Sequence, residues 1–335
     1  MTERALKRAA VVGSGVIGRS WARVFARAGW EVSVYDADPE RLKQAVRWAH
    51  ATALEDERAG FLTEGGAAEE ARLIRPASSL DDAVSGARWV QESGPERLDL
   101  KQDLFAALDA ATAPGAILAS STSALDIGQI AKGLEGASRC CVAHPVNPPH
   151  VVPVVEVLPG PGSTASTVER VLSVLRDVGQ SPVLMSRFVP GFLLNRMQAA
   201  LVREAVSLVE TGTASVEAVD RVIREGLGLR WALMGPFGTG HTNADDGVGG
   251  YFRRYGAAYR SLWDDLDPQP ALTDGLIDEI QAGVEAMYGN ADSKEVGAWR
   301  DRMVGRIRRL KDGDPGPAGG EARAGGDPAG QEKVG

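Results

Sequence analysis

A glycine-rich turn near the start of the chain constrains the fold more than any other feature. An apolar strand pattern at residues 9–12 runs directly into Gly13-Ser14-Gly15-Val16-Ile17-Gly18. A helical pattern covers about residues 17–28, and a second strand pattern at 31–35 ends in Asp36. A glycine turn alone is weak evidence, but strand, turn, helix and acid-terminated strand in this order indicate a dinucleotide-binding unit. The sequence therefore predicts a parallel sheet covered by helices in this part of the chain.

The residues of the turn have separate physical roles in the predicted unit. Gly13 permits the tight turn, Gly15 lets the backbone approach a pyrophosphate, and Gly18 lets helix and strand pack closely. Val16 and Ile17, at the point where the turn passes into the helix, are predicted cofactor-binding residues, because the unpaired N–H groups and positive dipole end there attract phosphates. The alternative is a glycine turn in an α/β domain that binds no ligand.

Asp36 indicates which dinucleotide is bound. Its carboxylate accepts hydrogen bonds from a ribose diol and repels a 2′-phosphate. The next residues, Ala37 and Asp38, supply no arginine that would hold such a phosphate. We therefore expect NAD rather than NADP as the cofactor.

The rest of the chain divides into two parts by its pattern. Alternating strand and helix patterns continue to about residue 188, and long helical patterns with almost no strand signal follow Pro190-Gly191. A chain of 335 residues also exceeds the size of most single cores. We predict a Rossmann-type, mostly parallel α/β domain at 1–188 and an all-α substrate and dimerisation domain at 189–311. Residues 312–335, with 8 Gly and 3 Pro in 24 residues, are predicted to be a disordered tail.

Composition excludes several classes of partner. The 37 Lys+Arg against 45 Asp+Glu give a formal charge of −8 without a dense basic block, which argues against nucleic acid and anionic membranes. No secretory signal fits the first residues, and no apolar run approaches the ~18 residues of a membrane span. The adjacent Cys140 and Cys141 suit neither a disulfide framework nor a zinc site. We expect a cytoplasmic protein without a bound metal.

His144 is the candidate base for chemistry on a bound nicotinamide. It is one of four histidines and stands between an apolar strand pattern and Pro145. Oxidation of an alcohol needs a group that takes the hydroxyl proton, and an unperturbed pKa of roughly 6.5 suits histidine for this. Glu156, a carboxylate within an apolar strand pattern, is a candidate for fixing the imidazole. The structural alternatives are strand capping for His144 and an outward-facing position for Glu156.

Two further polar residues complete the candidate site. Ser123 follows another strand pattern and is a candidate donor to the substrate oxygen, while Asn195 stands on the first helix of the second domain. The structural alternative for Ser123 is a serine that lies in a turn or caps a helix. The alternative for Asn195 is an asparagine that caps a helix or packs against a neighbour.

These residues together resemble the 3-hydroxyacyl-CoA dehydrogenase family over nearly the whole chain to about Lys311. The serine–histidine–glutamate–asparagine set of that family falls on Ser123 in Ser-Thr-Ser-Ala-Leu, His144 in His-Pro-Val-Asn-Pro, Glu156, and Asn195 in Pro-Gly-Phe-Leu-Leu-Asn-Arg. The resemblance implies that His144 is the base, that Glu156 orients it, and that the other two position the substrate.

The resemblance extends to the loop beside the cofactor. Residues 91–101 match that loop, which implies that Glu96 and Lys101 contact NAD. Arg230 stands where the acyl-CoA enzymes carry an apolar loop with a proline. An arginine there suits bidentate recognition of a small carboxylate, and the alternative is a surface arginine in a cap or an ion pair.

Within the family the chain is most similar to the branch of lambda-crystallin and L-gulonate 3-dehydrogenase, through Gly-Ser-Gly-Val-Ile-Gly-Arg-Ser-Trp and His-Pro-Val-Asn-Pro-Pro. L-carnitine dehydrogenase shares the residues around 91–101 and Leu-Arg-Trp, but Asn195 and the segment 241–243 favour the gulonate branch. We expect NAD-dependent oxidation of the 3-hydroxyl of a small hydroxy acid by a homodimer. L-gulonate is the leading substrate, and L-carnitine or a 3-hydroxyacyl-CoA is the alternative. A non-catalytic, crystallin-like NAD-binding protein is the alternative of another class.

Overall fold

The computed structural model describes residues 7–266, 269–289 and 291–314. The chain forms two compact units, Met1–Leu193 and Leu194–Gly335. Of the predicted tail, residues 312 and 313 end the last helix, and residues 315–335 lie outside the described part.

The first unit contains one sheet of eight strands in the order β3-β2-β1-β4-β5-β6-β7-β8. The strands are β1 Arg8–Val12, β2 Glu31–Tyr35, β3 Ile74–Pro76, β4 Trp89–Glu92, β5 Ile117–Ser120, β6 Cys140–Pro145, β7 Val154–Pro159 and β8 Ser181–Leu184. The first six run parallel to one another, whereas β7 is antiparallel to β6 and β8 is parallel to β7. The predicted Rossmann-type, mostly parallel sheet is confirmed.

The helices of this unit connect the strands and cover the sheet. They are α1 Val16–Arg27, α2 Pro39–Arg58, α3 Gly66–Leu73, α4 Leu80–Val84, α5 Leu98–Ala111, α6 Ile127–Ile130 and α7 Ala165–Asp177, with a 3-10 turn at Ala137–Arg139. The sequence pattern missed the short elements β3 and α4, because three or five residues carry too little periodicity to stand out from a loop.

Apolar residues bury both faces of the sheet, as expected where helices cover parallel strands. Successive residues of β6 alternate between two separate apolar clusters: Cys141 and Ala143 belong to one, Cys140 and Val142 to the other. The two adjacent cysteines therefore lie on opposite faces as free thiols. Burial raises the pKa of Cys140 to about 12, so this thiol is a packing residue and not a nucleophile.

Helices are the regular elements of the second unit within its described residues, and no strand occurs among these residues, which confirms the predicted all-α part. Its helices are α8 Leu194–Glu210, α9 Val216–Arg221, α10 Gly228–Trp231, α11 Pro236–Thr242, α12 Gly247–Asp265, α13 Asp274–Tyr288 and α14 Ser293–Gly313, with a π-helical turn at Val222–Leu227. Its buried apolar cluster is small, consisting of Val206, Val209 and Leu276 with three partly buried neighbours. Among the helices of the described ranges, none has the length and apolar content needed to cross a membrane.

Candidate active site

The predicted site residues of the first unit converge at one edge of its sheet. Strands β1, β2, β4, β5 and β6 are parallel, so their carboxyl ends meet there. The glycine turn follows β1, Asp36 follows β2, Glu96 follows β4 and Ser123 follows β5, while His144 stands at the end of β6. Ligands of open α/β sheets bind at this edge.

The three glycines of the turn meet different surroundings. Gly13 has φ 95°, and a Cβ there would lie 2.6 Å from the carbonyl oxygen of Ser93. A Cβ on Gly18 would lie 1.8 Å from the carbonyl oxygen of Gly13. A Cβ on Gly15, in contrast, would meet no atom within 4 Å. Packing thus requires the first and third glycines, and the second faces open space, where a bound diphosphate would lie.

The start of helix α1 is suited to an anion. Gly15 is its N-cap, no side chain caps the first turn, and no acidic residue stands in that turn. Val16 at the first position is half exposed, at 51%. The N–H groups and the positive dipole end of the helix therefore face the space beside Gly15, and the residues present fit a dinucleotide.

Asp36 is held in its charged form at the end of β2. Its Oδ2 accepts hydrogen bonds of 2.7 Å from both the backbone N–H and the hydroxyl of Ser14, and its Oδ1 accepts one of 3.0 Å from the N–H of Asp38. Burial alone would raise the pKa of Asp36, but these donors, with a smaller effect from the Arg41 charge, lower it below the ordinary value. A fixed carboxylate here suits a ribose diol and opposes a 2′-phosphate.

His144 and Glu156 form a buried pair. They are directly opposite residues of antiparallel β6 and β7, so their side chains share one face of the sheet. His144 Nδ1 lies 2.9 Å from Glu156 Oε2, with side chains 9% and 2% exposed. Because a carboxylate oxygen only accepts, Nδ1 carries the proton, and Nε2 is left with the lone pair that a base needs. The sequence-predicted orienting contact is therefore present in the geometry.

Glu96 connects the two loops at this edge. Its Oε1 accepts hydrogen bonds from the Thr122 hydroxyl at 2.6 Å and from the N–H groups of Ser123 and Ala124 at 2.9 Å each. Burial acts to raise the pKa of Glu96, but the Thr122 hydroxyl, the Lys101 charge and the two N–H groups together lower it. The Ser123 hydroxyl is exposed, 3.4 Å from the same oxygen. Glu96 thus holds the loop that presents Ser123, a contact that the sequence did not indicate.

Lys101 is buried in an ion pair with Glu92, a residue that the sequence pattern did not single out. Its Nζ lies 2.7 and 2.8 Å from the two carboxylate oxygens of Glu92, and 3.6 Å from Glu96 Oε2. The Lys101 and Glu92 side chains are 2% and 1% exposed. The sequence signal for Glu92 is a carboxylate at the last position of an apolar strand. The contact of Glu96 and Lys101 with NAD stays a prediction.

A row of buried, hydrogen-bonded polar groups is another feature that the sequence pattern did not predict. The Trp89 indole donates to Gln91 Oε1 at 2.9 Å, and Gln91 Nε2 donates to the Ser121 hydroxyl at 2.8 Å. The Ser121 and Ser93 hydroxyls lie 2.9 Å apart. The row runs from the core to the loops after β4 and β5, and so fixes the edge of the sheet against which Gly13 packs.

Asn195 and Arg230 belong to the second unit. Asn195 is the second residue of α8, and Arg230 is an exposed residue of α10. The hydrogen bond between the Tyr251 and Tyr259 hydroxyls raises the pKa of Tyr251, burial adds to this, and the Arg230 charge lowers it, so Arg230 lies within electrostatic reach of Tyr251. The substrate roles of Asn195 and Arg230 stay predictions. The described ranges contain no cluster of three or more side chains that could hold a metal.

Comparison with known proteins gives consistent matches over both units. The family model "3-hydroxyacyl-CoA dehydrogenase, NAD binding domain" matches residues 8–188, and the model of the corresponding C-terminal domain matches 191–289. A lambda-crystallin homolog of Bos taurus is 41% identical over 306 residues, covering 90% of this chain and 95% of that protein. An L-carnitine dehydrogenase of Streptomyces coelicolor is 39% identical over 310 residues, covering 91% and 94%.

Solved structures show the same architecture. An NAD⁺-dependent dismutase, 5-formyl-3-hydroxy-2-methylpyridine 4-carboxylic acid 5-dehydrogenase, matches with a TM-score of 0.75 at 27% identity, covering 92% of this chain and 99% of that one. A 3-hydroxybutyryl-CoA dehydrogenase of Escherichia coli matches with a TM-score of 0.64 at 29% identity, covering 80% and 55%.

Proposed function

The chain belongs to the 3-hydroxyacyl-CoA dehydrogenase family and is an NAD-dependent dehydrogenase of 3-hydroxyl groups, and from that premise we propose that it oxidises a small 3-hydroxy acid with His144 as the general base. The observation that carries the proposal is the buried His144–Glu156 pair, 2.9 Å between Nδ1 and Oε2, at the strand edge that also bears the glycine turn. L-gulonate is the leading substrate, because Asn195 and the segment 241–243 favour the gulonate branch, to which the lambda-crystallin homologs at up to 41% identity belong.

The chemistry is divided between cofactor and protein. The glycine turn and Asp36 would hold NAD, which when bound would supply the hydride acceptor for oxidation of the hydroxyl-bearing carbon. His144 takes the hydroxyl proton at Nε2, and the adjacent carboxylate of Glu156 stabilises the imidazolium that results. Positioned general-base catalysis of this kind contributes about 10²- to 10⁴-fold to the rate.

Ser123 and Asn195 complete the proposed set by donating to the substrate oxygen. The backbone of Ser123 is held by Glu96, while its hydroxyl is exposed and 3.4 Å from the nearest Glu96 oxygen. The hydroxyl donates to that oxygen over a distance long for a hydrogen bond, so we propose that it turns to the substrate when one is bound. Arg230 is proposed to recognise the substrate carboxylate, because a planar guanidinium donates two parallel hydrogen bonds to such a group.

A second substrate, L-carnitine, is favoured by a row of aromatic rings in the second unit. Tyr251 packs against Tyr255 and Tyr259, with centroid distances of 5.1 and 6.1 Å, and Tyr259 against Trp263 at 5.8 Å. Aromatic faces attract a quaternary ammonium group. Arg230 lies within electrostatic reach of Tyr251, and its positive charge repels a quaternary ammonium group there. L-gulonate, which carries no such group, therefore remains the leading candidate substrate.

One assay separates these candidates and also tests for a non-catalytic NAD-binding protein. NADH formation is measured under identical conditions with L-gulonate, L-carnitine, 3-hydroxybutyrate and 3-hydroxybutyryl-CoA. We expect the highest kcat/KM with L-gulonate. A higher value with L-carnitine would support the aromatic row as the determinant, a higher value with the CoA ester would contradict a small substrate, and no NADH with any of them would contradict catalysis.

We further propose a cytoplasmic homodimer that associates through the helical unit. The small buried cluster of that unit contrasts with its many exposed apolar side chains, among them Met197, Val202, Leu229, Phe237, Leu262 and Trp263. Burial of such residues against a second copy removes apolar surface from water. Light scattering after size exclusion should give twice the chain mass, and a stable monomer would contradict the proposal.

A further inference from the structure

Phe192 has an unusual backbone conformation for its surroundings. Within the described residues, Phe192 is the single non-glycine residue with a positive φ, which is 49°. It follows Gly191, whose φ is 77°. The left-handed region is unfavourable for a residue with a Cβ, because the Cβ comes too close to the following carbonyl oxygen. The Phe192 side chain is nevertheless fully buried, at 0% exposure. A conformation that is both strained and buried indicates that its surroundings impose it, and such positions concentrate at functional sites.

The conformation brings two groups of the same segment to the His144–Glu156 pair. The Phe192 ring is stacked on the His144 imidazole, with centroids 5.2 Å apart and planes inclined by 28°. The next backbone N–H, that of Leu193, donates to Glu156 Oε1 at 2.7 Å. Glu156 thereby presents its other oxygen, Oε2, to Nδ1 of His144.

We propose that Phe192 is a positioning residue for the base. The bond between Nδ1 and Oε2 fixes one end of the imidazole but still allows the ring plane to turn about it. The Phe192 face opposes that rotation, and the Leu193 N–H keeps the carboxylate from turning away. Both contacts depend on the left-handed conformation of residue 192, and together they aim Nε2 of His144 in one direction. The inference rests on the proposed role of His144.

The test compares two chemically identical substitutions, Phe192→Leu and Phe188→Leu. Phe188 packs edge-on against Phe192, with centroids 5.8 Å apart and planes at 89°, and belongs to the same apolar cluster. Leucine keeps an apolar side chain at either position but removes the flat ring. A misplaced base costs on the order of 10- to 100-fold in rate. We therefore expect Phe192→Leu to lose about that factor in kcat, with KM and the Kd of NAD within about twofold of wild type, while Phe188→Leu keeps its kcat.

A second readout distinguishes positioning from a general loss of packing. The pH dependence of kcat/KM contains the ionisation of the base, so its inflection should move in Phe192→Leu and stay in place in Phe188→Leu. ¹⁵N NMR of labelled histidine, with the His144 signal identified by its absence in His144→Ala, should show the Nδ1–H tautomer in wild type and a second form in Phe192→Leu. These spectra remain informative if a variant is unstable, because they are recorded below its melting temperature.

The outcomes separate this proposal from the proposed function. If His144→Ala keeps normal turnover, the base is wrong and so is the function proposed for it. If His144→Ala is inactive while Phe192→Leu keeps kcat, pH profile and tautomer, only the positioning role is overturned. Equal losses of kcat in the two leucine variants, with an unmoved pH profile, would reduce Phe192 to a packing residue.

Discussion

The buried pair of Lys101 and Glu92 makes the stability of the first unit sensitive to a single substitution. Lys101→Met keeps most of the length of the side chain but removes its charge. Glu92 would then remain 1% exposed, without the ammonium that lies 2.7 and 2.8 Å from its oxygens. Two donors would stay in place: the Ser120 hydroxyl at 2.5 Å and the N–H of Gly94 at 2.6 Å.

The size of the effect follows from this geometry. Removing one partner of a buried ion pair costs about 3–5 kcal/mol, because the other charge is left uncompensated. The two remaining donors place the expected loss at the lower end, about 3 kcal/mol. In a domain of this size each kcal/mol corresponds to about 2–4 °C, so Tm should fall by roughly 6–12 °C.

Lys43→Met is the matched control. Lys43 Nζ lies 2.7 Å from Glu40 Oε1, the same distance as in the buried pair, but its partners are 61% and 67% exposed. Exposed pairs contribute at most about 1 kcal/mol, so Tm should change by no more than ~4 °C. Thermal unfolding followed by circular dichroism, with guanidinium titration for the free energy of unfolding, measures both variants.

Two results would refute the reasoning. Equal losses of unfolding free energy in Lys101→Met and Lys43→Met would show that burial does not determine how much an ion pair contributes to stability. In addition, Glu92→Gln in the Lys101→Met background removes the uncompensated charge and should recover part of the stability, so a further loss would contradict the assigned cause. Titration with NAD of the Lys101→Met protein, below its Tm, also tests the proposed cofactor contact, since a contact through the ammonium requires a weaker Kd.

Four other substitutions test the site. His144→Ala should keep its Kd for NAD and lose about 10²- to 10⁴-fold in kcat; near-normal turnover would remove His144 from the mechanism. Asp36→Ala should raise the kcat/KM ratio of NADP to NAD, because it removes the charge that repels a 2′-phosphate, and an unchanged ratio would count against the ribose contact. Arg230→Met should raise KM for a carboxylate substrate far more than the Kd of NAD, whereas parallel changes would refute carboxylate recognition. Glu96 has a lowered pKa in the folded state, so its stabilising effect is present above its unfolded pKa of about 4.3 and is lost as pH falls through the folded value. The difference in Tm between wild type and Glu96→Gln should therefore shrink below about pH 4, and a difference that persists there would show that it does not depend on the charge of Glu96.

The parts of the site that could be predicted are those with a local signature. The glycine turn and Asp36 were recognised because strand, turn and helix follow one another within residues 9–36. Gln91 and Phe192 carry no such signature, and Glu92 carries only a weak one, a carboxylate at the end of an apolar strand. Their importance lies in partners distant along the chain, such as Ser120 for Glu92 at 28 residues and His144 for Phe192 at 48, and a hydrophobic pattern does not report which residues meet across a sheet.

The direction of β7 shows where a stronger inference from sequence was possible. A parallel crossover requires a dozen or more residues, usually a helix, and only the seven residues 144–150 separate the apolar strand pattern before His144 from the one that contains Glu156. Loop length alone therefore required the reversal that the structure contains between β6 and β7. The reversal matters for function, because directly opposite residues of an antiparallel pair share a face. His144 and Glu156, twelve positions apart, can meet as opposite residues only if the register is the observed one, in which Cys141 also faces Pro159. Loop length requires the reversal but does not by itself give the register, which also depends on the conformation of the turn, and a shift by one residue would turn the carboxylate to the other face of the sheet. The connection at residues 146–153 thus sets the geometry of the base as much as the two side chains do.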